Sequence, residues 1–204
     1  MLKKFFIALV FLASSCAHND FVVNVDFNLY KSALKTDNKS INVIVVDNRL
    51  NDRIIGQKIS GGKVAQITAN QDLVDLLQKK ITNNLTAKGF LIGLDFTIKV
   101  EVEELNYESS RGFIVGDARS YGRIKVTVIA NNDGSQFSKN YELHHVTKYF
   151  IISNKEEDQD NIQRMIQELI SDFLSDAEIM GHMGVSINYD ANMEKFMRRM
   201  YTVI

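Results

Sequence analysis

The 204-residue chain carries 24 Lys and Arg against 25 Asp and Glu, is 45% hydrophobic and 24% charged, and contains one cysteine and neither proline nor tryptophan. Its near-neutral balance excludes the clustered basic footprint of a nucleic-acid binder, and a lone cysteine excludes an internal disulfide framework. What remains is the composition of an ordinary globular protein, at a length that suits one domain with a sizeable core.

The first sixteen residues, MLKKFFIALVFLASSC, join Lys3 and Lys4 to an apolar run from Phe5 to Ala13 and a small pair, Ser14 and Ser15, before Cys16. These are the charged, apolar and small-residue zones of an export signal. The apolar run is far short of the ~20 residues that span a bilayer, so residues 1–15 read as a signal peptide and not an anchor helix. Leu12-Ala13-Ser14-Ser15-Cys16 resembles the lipobox of bacterial lipoproteins, in which the cysteine becomes the lipidated first residue. Ala13 departs from the usual leucine of that motif. An ordinary secreted protein with an idle or discarded cysteine is the alternative. The resemblance implies three acyl chains on Cys16; at about 0.8 kcal/mol per buried methylene, several chains anchor durably where one binds only marginally. Ala17, standing where an aspartate would retain the protein, implies transfer to the outer membrane by the sorting rule of enterobacterial lipoproteins, with the body facing the periplasm. Loss of residues 1–15 removes Lys3 and Lys4 from the 24 basic residues, leaving 22 against 25 acidic ones.

In chain order, Phe21, Val23, Val25, Phe27 and Leu29 alternate with polar residues, a strand pattern. Residues 31–40 lose it and read as a connection, so 16–40 form a lipidated N-terminus, a first strand and a tether. Ile41 to Asp47 is a β-branched run suited to a strand covered on both faces. Residues 54–59 and 63–68 flank Ser60-Gly61-Gly62, a hairpin turn. Asn70 to Phe90 repeats Leu73, Leu77, Ile81 and Leu85 every fourth residue, which predicts a helix capped by Asn70 and ended by Gly89. Phe96 to Leu105 alternates as a half-buried strand, and 106–122 reads as a loop or bulged strand. Residues 123–130 and 136–150 are strands joined through Asp133-Gly134. After Asn154 an acidic start leads into Ile162, Met165, Ile166, Leu169, Ile170, Phe173, Leu174 and Ala177, a helix running to Gly181. Residues 183–204 form a tail with a short amphipathic stripe, Met193, Phe196, Met197, Met200 and Tyr201, whose expected place is against the body.

Strands followed by a helix, more strands and another helix predict an α+β fold for residues 41–182. The expected form is a two-layer sandwich, a mostly antiparallel sheet with two long helices on one face and a short C-terminal helix.

No catalytic or metal-binding pattern emerges, and no cofactor motif. Glu101 and Glu103 fall on the wet face of their strand, where carboxylates stay ordinary. His144 and His145 point to opposite faces and cannot share a metal. Ser60-Gly61-Gly62 matches neither phosphate-binding glycine pattern. The candidates that remain for partner binding are Asp47 and Arg49 at a strand end, and Arg111 and Phe113 in the 106–122 loop.

The signal and Cys16, Ile67-Thr68-Ala69-Asn70-Gln71-Asp72-Leu73 before Leu76-Leu77, Ala87-Lys88-Gly89-Phe90, Lys139-Asn140-Tyr141 and Ser153-Asn154-Lys155 occur in the order seen in one family. Through them the chain resembles the YajG family of bacterial lipoproteins over nearly its whole length. The resemblance implies an envelope lipoprotein and carries no catalytic residues. The function expected is a non-enzymatic binding or scaffolding module, tethered to the outer membrane by its lipid and facing the periplasm. Its partner would be an envelope protein or peptidoglycan, a homo-oligomer being compatible. The alternatives are a periplasmic carrier of lipid or small molecules, and an envelope hydrolase with a site not visible in sequence.

Overall fold

The computed structural model describes residues 20–29, 36, 38–110, 115–149 and 154–185. The expected signal peptide, Cys16 and the stripe from Met193 to Tyr201 lie outside them. Among the described residues eight strands and three helices follow in order: β1 (Phe21–Val23), β2 (Ser40–Asp47), β3 (Ile54–Ser60), β4 (Lys63–Ala69), α1 (Leu73–Ala87), β5 (Leu91–Ile92), β6 (Phe96–Ser110), β7 (Gly116–Ala130), β8 (Gln136–Tyr149), α2 (Lys155–Leu174) and α3 (Ala177–His182).

All eight strands share one curled sheet with β6 as its axis. Along one edge of β6 lies β7, antiparallel over its whole length, with β8 beyond it. Along the other edge β2 and β3 follow one another, both parallel to β6: Ile41 opposes Phe96, and Ile59 opposes Ser110. The sheet therefore forks, with β5 paired outside β2, and β4 then β1 outside β3.

Four of the seven pairings are parallel: β1 with β4, and β2 with β5, β2 with β6 and β3 with β6. This overturns the expected two-layer sandwich, whose sheet was to be mostly antiparallel under two long helices on one face. What forms is a mixed sheet with helices of 15, 20 and 6 residues. Reading strands in order favours hairpins between neighbours, whereas the parallel partners of β6 come from far earlier in the chain and leave no local signature.

A register slip between Val102 and Glu104 accounts for a second difference. Before it the buried residues of β6 are Ile98, Val100 and Val102; after it they are Leu105, Tyr107 and Ser109. The extra residue switches phase and keeps one face buried, so the strand runs on to Ser110 where its alternation had seemed to stop. Most of 106–122, expected as a loop or bulged strand, is strand for this reason.

Helix α1 is capped by Asp72, whose side chain accepts from Asp75 N, and not by Asn70, whose amide bonds Asn24 Oδ1 at 2.9 Å. Helix α2 opens with a reciprocal cap between Asn154 and Glu157. It stops at Leu174, and Asp176 caps the separate helix α3, where one helix to Gly181 was expected. Ser175 Oγ bonds Ser171 O at 2.8 Å, so the first helix is closed by its own polar end. Gly61 and Gly62 take positive φ, as the β3–β4 turn requires. The apolar faces of all three helices meet the sheet in one continuous core that includes Ile41, Ile81, Ile98, Ile124, Leu169 and Phe173.

Candidate functional site

Asp47 and Arg49, expected at a partner surface, are turned inward. Arg49 Nη2 stands 2.6 Å from Asp47 Oδ2, with side chains only 5% and 8% exposed. The same guanidinium donates to Asp52 O at 2.6 Å and Ile54 O at 3.1 Å. All this pins the loop 48–53, where the chain leaves β2 and re-enters the same edge of β6 as β3. Arg111 and Phe113 lie outside the described residues.

A second internal network joins β3, β6 and α2. Asp158 is wholly buried; Lys58 Nζ donates to its Oδ2 at 2.6 Å and Tyr107 OH to its Oδ1 at 2.7 Å. Burial, reinforced by the Asp158 carboxylate, raises the Tyr107 phenol above its usual range, so it stays a proton donor. Asn161 extends the chain of bonds to the Tyr149 hydroxyl. Such a network orders three elements, and each member is occupied by the others.

Two further charged contacts hold the helix ends. Lys88 Nζ donates to Leu174 O at 2.5 Å, joining the end of α1 to the end of α2, and burial lowers its pKa to about 8. Lys139 is raised to about 12 by the carboxylates of Asp176, foremost, and Glu178. His145 Nε2 lies 3.4 Å from Glu168, beside a hollow of about 530 Å³ between β8 and α2. Burial, and then the Glu168 charge, raises the Asp172 carboxyl in that hollow.

The two ends of the sheet differ. At one end gather the β3–β4 turn, Ser110 opposite Asp117, the end of β8 and the start of α2. At the other, the short strand β5 forms the last rung beyond β2. There Leu91, Ile92 and Leu94 are 53%, 67% and 70% exposed. The adjoining β7–β8 turn is tied in through Asn131, whose amide donates to Leu94 O at 2.7 Å. Three large apolar side chains grouped on an open edge make this a candidate contact surface.

Residues 30–183 match the family described as "Uncharacterized lipoprotein". The "Uncharacterized lipoprotein YajG" of Escherichia coli strain K12 is 24% identical over 183 residues, covering 86% of this chain and 92% of that protein; the protein of the same description from E. coli O6:H1 strain CFT073 matches equally. The chain belongs to the YajG family of lipoproteins. This YajG-family chain is therefore a lipoprotein of the cell envelope, anchored to a membrane. Its fold is shared with protein XCC0632 from Xanthomonas campestris, at a TM-score of 0.59 and 8% identity, over 80% of this chain and 98% of that one.

Sequence reasoning missed Asp158, read only as helix-start charge, and Tyr107, which the phase switch in β6 had put in a stretch read as loop or bulged strand. It also passed over Leu91, Ile92 and Leu94. The signal was present: four large apolar residues, Phe90, Leu91, Ile92 and Leu94, crowd a stretch with neither helical nor strand period between Gly89 and Phe96.

Proposed function

We propose that this YajG-family chain is an outer-membrane lipoprotein, acylated at Cys16, whose body stands in the periplasm and works without catalysis as a binding or scaffolding module. Its partner is another envelope protein or peptidoglycan. The observation that carries the reading is the group of three exposed apolar side chains, Leu91, Ile92 and Leu94, on one open edge of the sheet. The location is supported by the lipobox, by Ala17 and by family membership. The non-enzymatic role is supported by the engagement of the buried polar side chains, Asp47 with Arg49 and Asp158 with Lys58 and Tyr107, in holding the fold. Against a carrier stands the packing of the space between sheet and helices by Val100, Val126, Ile166 and Leu169, each 1% exposed or less.

Crosslinking of the lipidated protein in intact cells tests the reading. An envelope component captured by the natural chain and lost from a Leu91→Ser, Ile92→Ser, Leu94→Ser variant is the expected result. No enrichment over a control lipoprotein would overturn it. Acyl labelling lost in Cys16→Ser, with the protein released from the membrane fraction, checks the anchor.

A further inference from the structure

The segment that follows the lipidated cysteine is docked along the body. Val23, Val25 and Phe27 are buried at 0%, 0% and 4% exposure. Val23 O accepts from Asn70 N at 3.0 Å, Val25 O from Gln71 Nε2 at 2.6 Å and Phe27 O from Lys80 Nζ at 2.6 Å. From the other side, Gln159 Oε1 accepts from Asn24 N at 3.0 Å and Gln163 Nε2 donates to Asn24 O at 2.7 Å. Residues 20–27 are thus gripped by β4, α1 and α2 together.

The direction of this segment is fixed. β1 runs parallel to β4 with Phe21 opposite Ile67, so the chain before Phe21 leads back toward Lys63 and the β3–β4 turn. Asp20 continues that course, its Oδ1 accepting from Gln66 N at 2.7 Å. Cys16 precedes Asp20 by four residues, a reach of about 14 Å when fully extended. The 15 residues of β6, by contrast, put the Leu91–Leu94 edge about 45 Å from the turn end.

We propose that this short leash holds the body end-on to the membrane, with the β3–β4 turn end against the lipid surface and the Leu91–Leu94 edge turned away from it. The proposal rests on acylation of Cys16, proposed above. The leash sets the orientation, and charge adds little: exposed Lys63, Lys148 and Lys155 at this end stand against Asp20 and Glu156, which leaves one positive charge in excess among them. Salt should therefore leave the orientation unchanged.

Because Cys16 is the only cysteine and its sulfur carries the lipid, a single introduced cysteine takes a fluorophore uniquely. The full lipidated protein, with Lys63→Cys at the turn or Asp133→Cys at the far turn, is reconstituted in vesicles of phosphatidylethanolamine and phosphatidylglycerol containing a headgroup-nitroxide lipid. Fluorescence should be lost at position 63 and kept at position 133, at low and high salt alike. Inserting a flexible Gly/Ser segment of about 20 residues between Ala17 and His18 should restore it at position 63 while the protein stays on the vesicles. Equal quenching at both positions, or quenching only at 133, would overturn the end-on arrangement and leave the anchor standing. A chain that carries no acyl group and floats free of the vesicles would overturn the anchor and the arrangement with it.

Discussion

The two ends of the sheet are built by opposite means. At the turn end, polar side chains lock the structure: Asp158 ties Lys58 to Tyr107, and Gln159 and Gln163 hold the backbone of Asn24. At the far end a two-residue strand leaves large apolar side chains in water. Natural sheets blunt open edges with charge or cover them. Under the proposed function the apolar edge is the contact surface, and the locked end is the foundation that keeps it in place.

The largest effects should come from breaking the locked end. Asp158→Ala leaves Lys58 and Tyr107 facing an unfilled polar space and should cost about 3–5 kcal/mol in chemical denaturation. A triple change of Lys58→Met, Tyr107→Phe and Asp158→Leu should restore most of that loss, because the cost lies in the uncompensated charge. Phe27→Ala, which opens a cavity under the docked segment, should cost about 3 kcal/mol.

Lys88 links the two helix ends, and its effect should follow pH. Burial lowers its pKa from 10.5 to about 8 in the folded chain. Between those values the unfolded chain holds a proton that the folded one has released, so the Lys88 contribution to stability rises with pH across the window. The stability difference between the natural chain and Lys88→Met should shift in favour of lysine by on the order of 2–3 kcal/mol from pH 8 to 10.5. A flat difference would mean that Lys88 keeps its ordinary pKa.

The smallest effect on stability belongs to the far edge. Leu91→Ser, Ile92→Ser and Leu94→Ser each replace an exposed side chain and should move the denaturation midpoint within about 0.5 kcal/mol, while capture of the partner is lost. Stability and binding are then separated by position, as the comparison of the ends requires.

How much of this was open to a reader of the chain depended on the range of each signal. The β3–β4 turn with Gly61 and Gly62, the apolar stripe of α1 and its end at Gly89 are local features, and they read correctly. The parallel pairing of β2 and β3 with β6 joins residues about 50 positions apart and has no local trace. The phase switch after Val102 left the second half of β6 open between a loop and a bulged strand. Asp47 and Arg49 show why the site was harder than the fold. A charged pair at a strand end can make the turn through side-chain to backbone bonds or meet a partner, and in the folded chain each satisfies the other and the loop beside them.

The most direct test of a membrane end and a partner end is photocrosslinking in intact cells from a single reactive side chain placed at Lys63 or at Ile92. Adducts to lipid from position 63, and to one envelope component from position 92, are the predicted result. The same adducts from both positions would contradict the division of the molecule into two ends with separate tasks.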